Sequence, residues 1–161
     1  MTRSSKKIIL VVSTSRGYEN ATRAAMRRAR KDGAEILVAL VVDTQFAQQA
    51  IRDLQQQGWV GPEPSEKLEG ALIEECETFG QDCLDRIRDL LAGQDIHLEC
   101  IVRRGDFVRE TVRLIKKHRA DLLILPRRKR SSLSRFFLGS AVQEIRSASR
   151  CPVMIVDEDE G

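Results

Sequence analysis

The sequence predicts one α/β domain built on a doubly wound, five-stranded parallel sheet. Two observations carry that expectation. Short runs of continuous apolar residues recur at Ile8–Val12, within Glu35–Val42 and at Leu122–Leu125, as strands covered on both faces require. Between them lie segments with apolar residues at three- and four-residue steps, so strands and helices alternate and the sheet should be sandwiched between helices.

The first strand, Ile8–Val12, is followed by the loop Ser13–Gly17. Glu19–Lys31 reads as a helix with Ala21, Ala24, Ala25 and Ala29 on one side and Gly33 at its end. Glu35–Val42 completes a β-α-β unit with an expected right-handed crossover. The glutamine-rich stretch Gln45–Gln57 and the Gly/Pro-rich Gly58–Pro64 read as a surface excursion. Ser65–Leu91 predicts a long helix with the stripe Leu68, Leu72, Cys76, Phe79, Cys83, Ile87 and Leu90. Ile96–Val102 predicts an edge strand, and Asp106–His118 a helix capped by Asp106. Asp121–Leu125 is a short strand ending at Pro126, Leu138–Ser149 the last helix, and Pro152–Val156 the last strand.

A chain of 161 residues, 42% hydrophobic but only 4% aromatic, fits a single domain at 1–161 with an aliphatic core. An acidic tail from about Asp157 is expected to be disordered. The longest apolar runs fall well short of the roughly 20 residues of a membrane-spanning helix, so no membrane role and a cytoplasmic location are expected. Cys76, Cys83, Cys100 and Cys151 show neither C-x-x-C pairing nor metal-ligand spacing with His97 and His118, and read as packed free thiols. The net charge of +3 does not by itself call for nucleic acid. The basic run Arg127–Arg130 lacks the interleaved aromatic residues that stack bases, so no nucleic-acid partner is expected.

Ligands of open parallel sheets bind beyond the carboxyl ends of the strands. The segment from Pro126 to Ser140 is the longest such connection, and carries Arg127, Arg128, Lys129, Arg130 and Arg135. Gly139-Ser140, at the expected start of the last helix, would offer main-chain N–H groups and a hydroxyl to phosphate or another anion. The alternative is that these are solvated loop charges.

The runs Ala120–Leu125, Ser132–Ser140 and Cys151–Val156, with the strand Lys7–Val12 and the strand end Leu40–Asp43, resemble the universal stress protein family over nearly the whole chain. The resemblance implies the adenine-nucleotide alpha-hydrolase-like fold, with strand order 3-2-1-4-5, about four helices, and a dimer. Nucleotide-binding members carry G-x-x-G-x(9)-G-[ST] after the fourth strand and an aspartate after the first. In this chain the first two glycines of that pattern are replaced by Pro126 and Lys129, Gly139-Ser140 is retained, and Ser13 takes the place of the aspartate. Val41 is the position the resemblance assigns to adenine contact.

Proline locks φ and removes an N–H, and lysine puts a long side chain where bare main chain was wanted. Ser13 lacks a carboxylate. The expectation is therefore a non-enzymatic, homodimeric stress-response protein that acts through protein partners and holds no ATP in the family's manner. The alternative keeps ATP or AMP, with Arg127, Lys129 and Arg130 standing in for the glycine loop. No P-loop, H-E-x-x-H or G-x-S-x-G motif points to catalysis. An acidic pair after the first strand, as phospho-accepting receiver domains need, is also missing. The dimer is expected to form through the edge strand Pro152–Val156.

Overall fold

The first apolar run forms strand β1 (Lys7–Val12) at the centre of the sheet in the computed structural model, which describes residues 6–13, 17–61, 66–128 and 132–158. The remaining elements, in chain order, are α1 (Glu19–Asp32), β2 (Glu35–Asp43), α2 (Thr44–Gln56), α3 (Glu66–Leu91), β3 (Leu98–Gly105), α4 (Phe107–His118), β4 (Leu122–Arg128), α5 (Ser132–Ser149) and β5 (Val153–Glu158). The five strands are all parallel and ordered β3-β2-β1-β4-β5, as expected.

Strand alternation divides the interior into two layers. Ile8, Leu10 and Val12 join Val38, Leu40 and Ile124 in a cluster with Ala21, Ala25 and Ala29 of α1 and Leu84 and Ile87 of α3. Ile9 and Val11 join Leu37, Val41, Leu123 and Leu125 in a second cluster with Leu114 and Ile115 of α4 and Val142 and Ile145 of α5. Each fully buried Leu or Ile contributes about 1.5–3 kcal/mol, so these two layers fix the position of the strand ends where a site would sit.

The small residues of α1 let it lie close to β1, and Gly33 ends it in the left-handed conformation at φ 64°. The Asp106 carboxylate caps α4 by accepting from the Arg109 N–H at 2.9 Å.

Six elements depart from the sequence reading. The glutamine-rich stretch is the helix α2, which makes five helices among the described residues where about four were expected. The Asp43 carboxylate accepts from the Gln45 N–H at 2.9 Å, an N-cap bond, and Ala47 and Ile51 supply the buried face. On α3 the buried line runs through Ile73, Gly80, Leu84 and Leu91 as well as Cys83 and Ile87, while Phe79 is 56% exposed. Strand β3 starts two residues late and runs on to Gly105, and α5 starts at Ser132, six residues before the expected Leu138. Strands β4 and β5 pair as far as Arg128 and Glu158, so Asp157 and Glu158 belong to the sheet and not to a disordered tail.

Candidate functional site at the carboxyl ends of the central strands

Strand β1 stops short of its neighbours. Its pairing with β2 ends at Val12–Leu40 and with β4 at Leu10–Ile124. Meanwhile β2–β3 pairing continues to Asp43–Gly105, and β4–β5 pairing to Arg128–Glu158. A notch therefore opens above the end of β1, flanked by β2 and β4. This is the switch point of the 3-2-1-4-5 order, where open parallel sheets take their ligands.

Three of the residues singled out from the sequence border the notch. Ser13 follows the last residue of β1 and is half-buried. Val41 lies one residue past the β1–β2 ladder; its side chain is only 1% exposed and belongs to the core beneath α4. The Glu35 N–H donates to the Lys6 carbonyl, and by alternation the main chain of Val41 also faces the β1 side. What Val41 offers a ligand is thus its main chain.

Arg127 is the third. Its Nε donates to Asp157 Oδ1 at 2.7 Å, across the β4–β5 ladder where the two residues are register partners. That bond raises the already high pKa of the guanidinium. Lys129 and Arg130 lie outside the described residues.

Pro126 explains how β4 opens the notch. The Leu123 N–H donates to Pro152 in front of β5, so odd positions of β4 face β5 and even positions face β1. The missing N–H of Pro126 would point toward β1, where it would make the next rung to Val11, so the β1–β4 ladder ends at Leu10–Ile124. Pro126 is buried and in register with Val156. Extended strand thus occupies the place where the family's nucleotide-binding pattern starts its glycine loop.

Gly139 and Ser140 are not at a helix N-terminus. They are the eighth and ninth residues of α5, in its third turn, and Ser140 is exposed. A single interior glycine costs about 1 kcal/mol relative to alanine, less than the packing of Val142 and Ile145 returns, so the helix runs through it. The N–H groups of this turn are spent inside the helix, and the expected anion site at Gly139-Ser140 loses its main-chain donors.

One functional-looking residue escaped the sequence reading. The Glu158 carboxylate, with the residue 3% exposed, lies on the first turn of α1: Oε2 accepts from Asn20 N–H at 2.9 Å and Oε1 from Ala21 N–H at 2.8 Å. Asn20 Nδ2 donates to the Asp157 carbonyl at 3.1 Å. Tyr18, the N-cap residue, makes no side-chain cap bond, so the cap comes from the far end of the described chain. A Cβ on Gly17 would lie 3.2 Å from Glu158 Cβ, which leaves little room there for a larger residue. Only the glycine and asparagine near the start of α1 hinted at such a contact, and neither names a partner 137 residues away.

Chemistry elsewhere is sparse. His97 precedes β3 and is exposed; His118 is half-buried at the end of α4, where desolvation first, and Lys7 second, hold its pKa below the usual value. Burial pushes the thiols of Cys83, Cys100 and Cys151 up, away from thiolate reactivity. Among the described residues no three His, Cys, Asp or Glu side chains gather as metal ligands, and no helix is long and apolar enough to cross a membrane. A concavity of about 570 Å³ runs along the outer face of α5 by Ser140, Glu144 and Ser147. Another, of about 270 Å³, lies at the opposite end of the sheet by Lys6, Arg28, Asp32 and Asp121. Neither is lined by the residues that border the notch.

Comparison with known proteins agrees with this architecture. Residues 4–157 match the universal stress protein family. A universal stress protein of Methanocaldococcus jannaschii is 27% identical over 153 residues, which cover 94% of this chain and 81% of that protein. The structure is similar to UspA from Lactobacillus plantarum, with a TM-score of 0.73 at 17% identity, covering 96% of this chain and 99% of that one. It is also similar to an Arabidopsis thaliana family member with AMP bound, with a TM-score of 0.58 at 16% identity, covering 96% and 92% of the two chains. The sheet order, the notch above β1 and the sequence match along almost the full length lead to one conclusion: this chain belongs to the universal stress protein family.

Proposed function

We propose that this protein is a homodimeric, cytoplasmic member of its family that works by binding protein partners, without catalysis and without retaining ATP in the family's manner. The observation that carries the reading is Pro126, buried within β4 where a phosphate-cradling glycine would stand. A neutral Ser13 at the end of β1 and an Arg127 engaged by Asp157 support it. The test is calorimetry on nucleotide-stripped protein with ATP, AMP and inorganic phosphate. No binding tighter than millimolar is expected, and a micromolar Kd for ATP would overturn the reading.

A second reading is adenine mononucleotide binding, favoured by the AMP-bound Arabidopsis relative and by the notch itself. The Val41 main chain would then read the base edge, and cations of the 127–130 run would hold the phosphate. Its signature in the same titration is saturable AMP binding.

A further inference from the structure

The concavity at the amino end of the sheet combines an apolar floor with a rim of both charge signs. It encloses about 270 Å³ between the last turns of α1 and the starts of the strands. Ile8, Ala34, Leu122 and Pro152 form the floor; the first three are buried, and the fourth has no N–H to present. The rim carries two cations, Lys6 and Arg28, and two carboxylates, Asp32 and Asp121. Part of that charge is spent within the chain. Arg28 Nε donates to Asp32 Oδ2 at 3.0 Å, which leaves the other guanidinium N–H groups to donate elsewhere. That bond first, with Lys6 among the cations that add to it, holds the Asp32 carboxyl below its usual range. The rest is unspent. Asp121 Oδ2 accepts from the Lys7 N–H at 2.8 Å, and the Asp121 N–H donates to the Lys7 carbonyl at 2.8 Å, so this carboxylate is fixed at the start of β4. Its Oδ1 has no partner among the described residues, and the Lys6 ammonium forms no ion pair among them.

We propose that this concavity binds a small zwitterion, an α-amino acid with a short aliphatic side chain. The ligand ammonium would sit on Asp121 Oδ1, its carboxylate on Lys6 and the spare donors of Arg28, and its side chain on the apolar floor. The two signs on the rim select for this class. A simple anion would face Asp32 and Asp121, and a simple cation would face Lys6 and Arg28; a zwitterion gives each unspent charge an opposite partner. The volume lies below the roughly 300–1,000 Å³ of pockets for drug-sized ligands, so a nucleotide is too large. No residue of this concavity borders the notch at the carboxyl end of β1, so a site here stands or falls separately from nucleotide binding.

The test is an amide NMR titration of the full chain with L-valine. Saturable shifts are expected at Lys7, Ala34 and Leu122, with a midpoint below about 1 mM. Isobutylamine and 3-methylbutanoate each lack one of the two charges of valine, and should bind at least about tenfold more weakly. Asp121→Asn removes the charge but keeps a side-chain carbonyl for the Lys7 N–H, and should weaken valine binding about tenfold. Should circular dichroism show that variant unfolded, Lys6→Gln alters an exposed residue outside the core and should show a loss of similar size. Shifts that never saturate, or that spare residues 7, 34 and 122, would overturn the site. So would equal binding of the singly charged analogues, or unchanged valine affinity in Lys6→Gln.

Discussion

Gly80 shows what a single side chain can decide here. A Cβ at this position would fall 1.9 Å from Leu40 Cδ2 and 3.0 Å from Leu40 Cγ, and Leu40 is fully buried at the centre of β2. Replacing Gly80 with alanine would improve helix propensity by about 1 kcal/mol. Overpacking a filled core typically costs about 1–3 kcal/mol. With Leu40 hemmed in by the strand layer, overpacking should win, and Gly80→Ala should lower stability by about 1 kcal/mol in a urea titration. A more stable variant would mean that Leu40 repacks freely. The sequence reading placed Phe79 on the buried line of α3, because a large apolar residue outranks glycine in any hydrophobicity pattern. The structure prefers the residue with no side chain, since proximity to β2 sets the helix face. At the candidate site the opposite held: Ser13 and Pro126 could be read as departures from the sequence, because their chemistry, a missing carboxylate and a missing N–H, does not depend on neighbours. Glu158 was not legible, because its role depends wholly on a helix far away in the chain.

The helix ends separate what local sequence encodes from what packing imposes. Asp106 and Gly33 were readable because a cap uses only its own turn. Helix α2 was missed because it buries only a narrow face, Ala47 and Ile51 among glutamines, too little for an apolar stripe to show. The start of α5 was misplaced because Gly139-Ser140 looked like a terminus, whereas the helix tolerates an interior glycine. Helix α4 ends without the usual glycine: Arg119 adopts the left-handed conformation at φ 51°, and its N–H donates to the Ile115 carbonyl. For a residue with a Cβ this conformation costs about 1–2 kcal/mol. Glycine removes that strain but loses about 0.5–1 kcal/mol of chain entropy on folding. Arg119 is exposed, so little packing is lost. Arg119→Gly should therefore raise stability by about 0.5 kcal/mol, visible as a higher urea midpoint with an unchanged slope. A clear fall in the midpoint would show that the Arg119 side chain holds contacts that matter more than its backbone.

At the scale of the whole molecule, the sheet has two edges, β3 and β5, and the question is what covers the second. Parallel alternation was legible from apolar runs; the order of the strands came from the family resemblance, since no local signal says which strand lies beside which. The Leu123 N–H to Pro152 carbonyl bond fixes the alternation along β5, leaving the main-chain groups of Val153, Ile155 and Asp157 directed away from β4. Val153 and Ile155 also keep half-buried side chains against the α4/α5 layer. Such an edge suits antiparallel pairing with a second copy about a two-fold axis near Ile155, which would give each protomer the same patch. Three features oppose it, the first being that Asn20 Nδ2 already donates to the outward Asp157 carbonyl. Asp157 brings a charge into the strand, and Arg146 Nη2 donates to the outward Val153 carbonyl. The Asp157 carboxylate, however, is already paired with Arg127. The Arg146 contact is 3.4 Å long and exposed, at the weak limit for such a bond, whereas strand pairing would satisfy several main-chain groups at once and cover two aliphatic side chains. The balance favours a dimer. Light scattering at tens of micromolar should give twice the chain mass, Ile155→Lys should halve it with the circular dichroism spectrum retained, and Arg146→Ala should leave the dimer intact or tighten it. A monomer before any substitution would show that Asn20, Arg146 and Asp157 suffice to guard the edge.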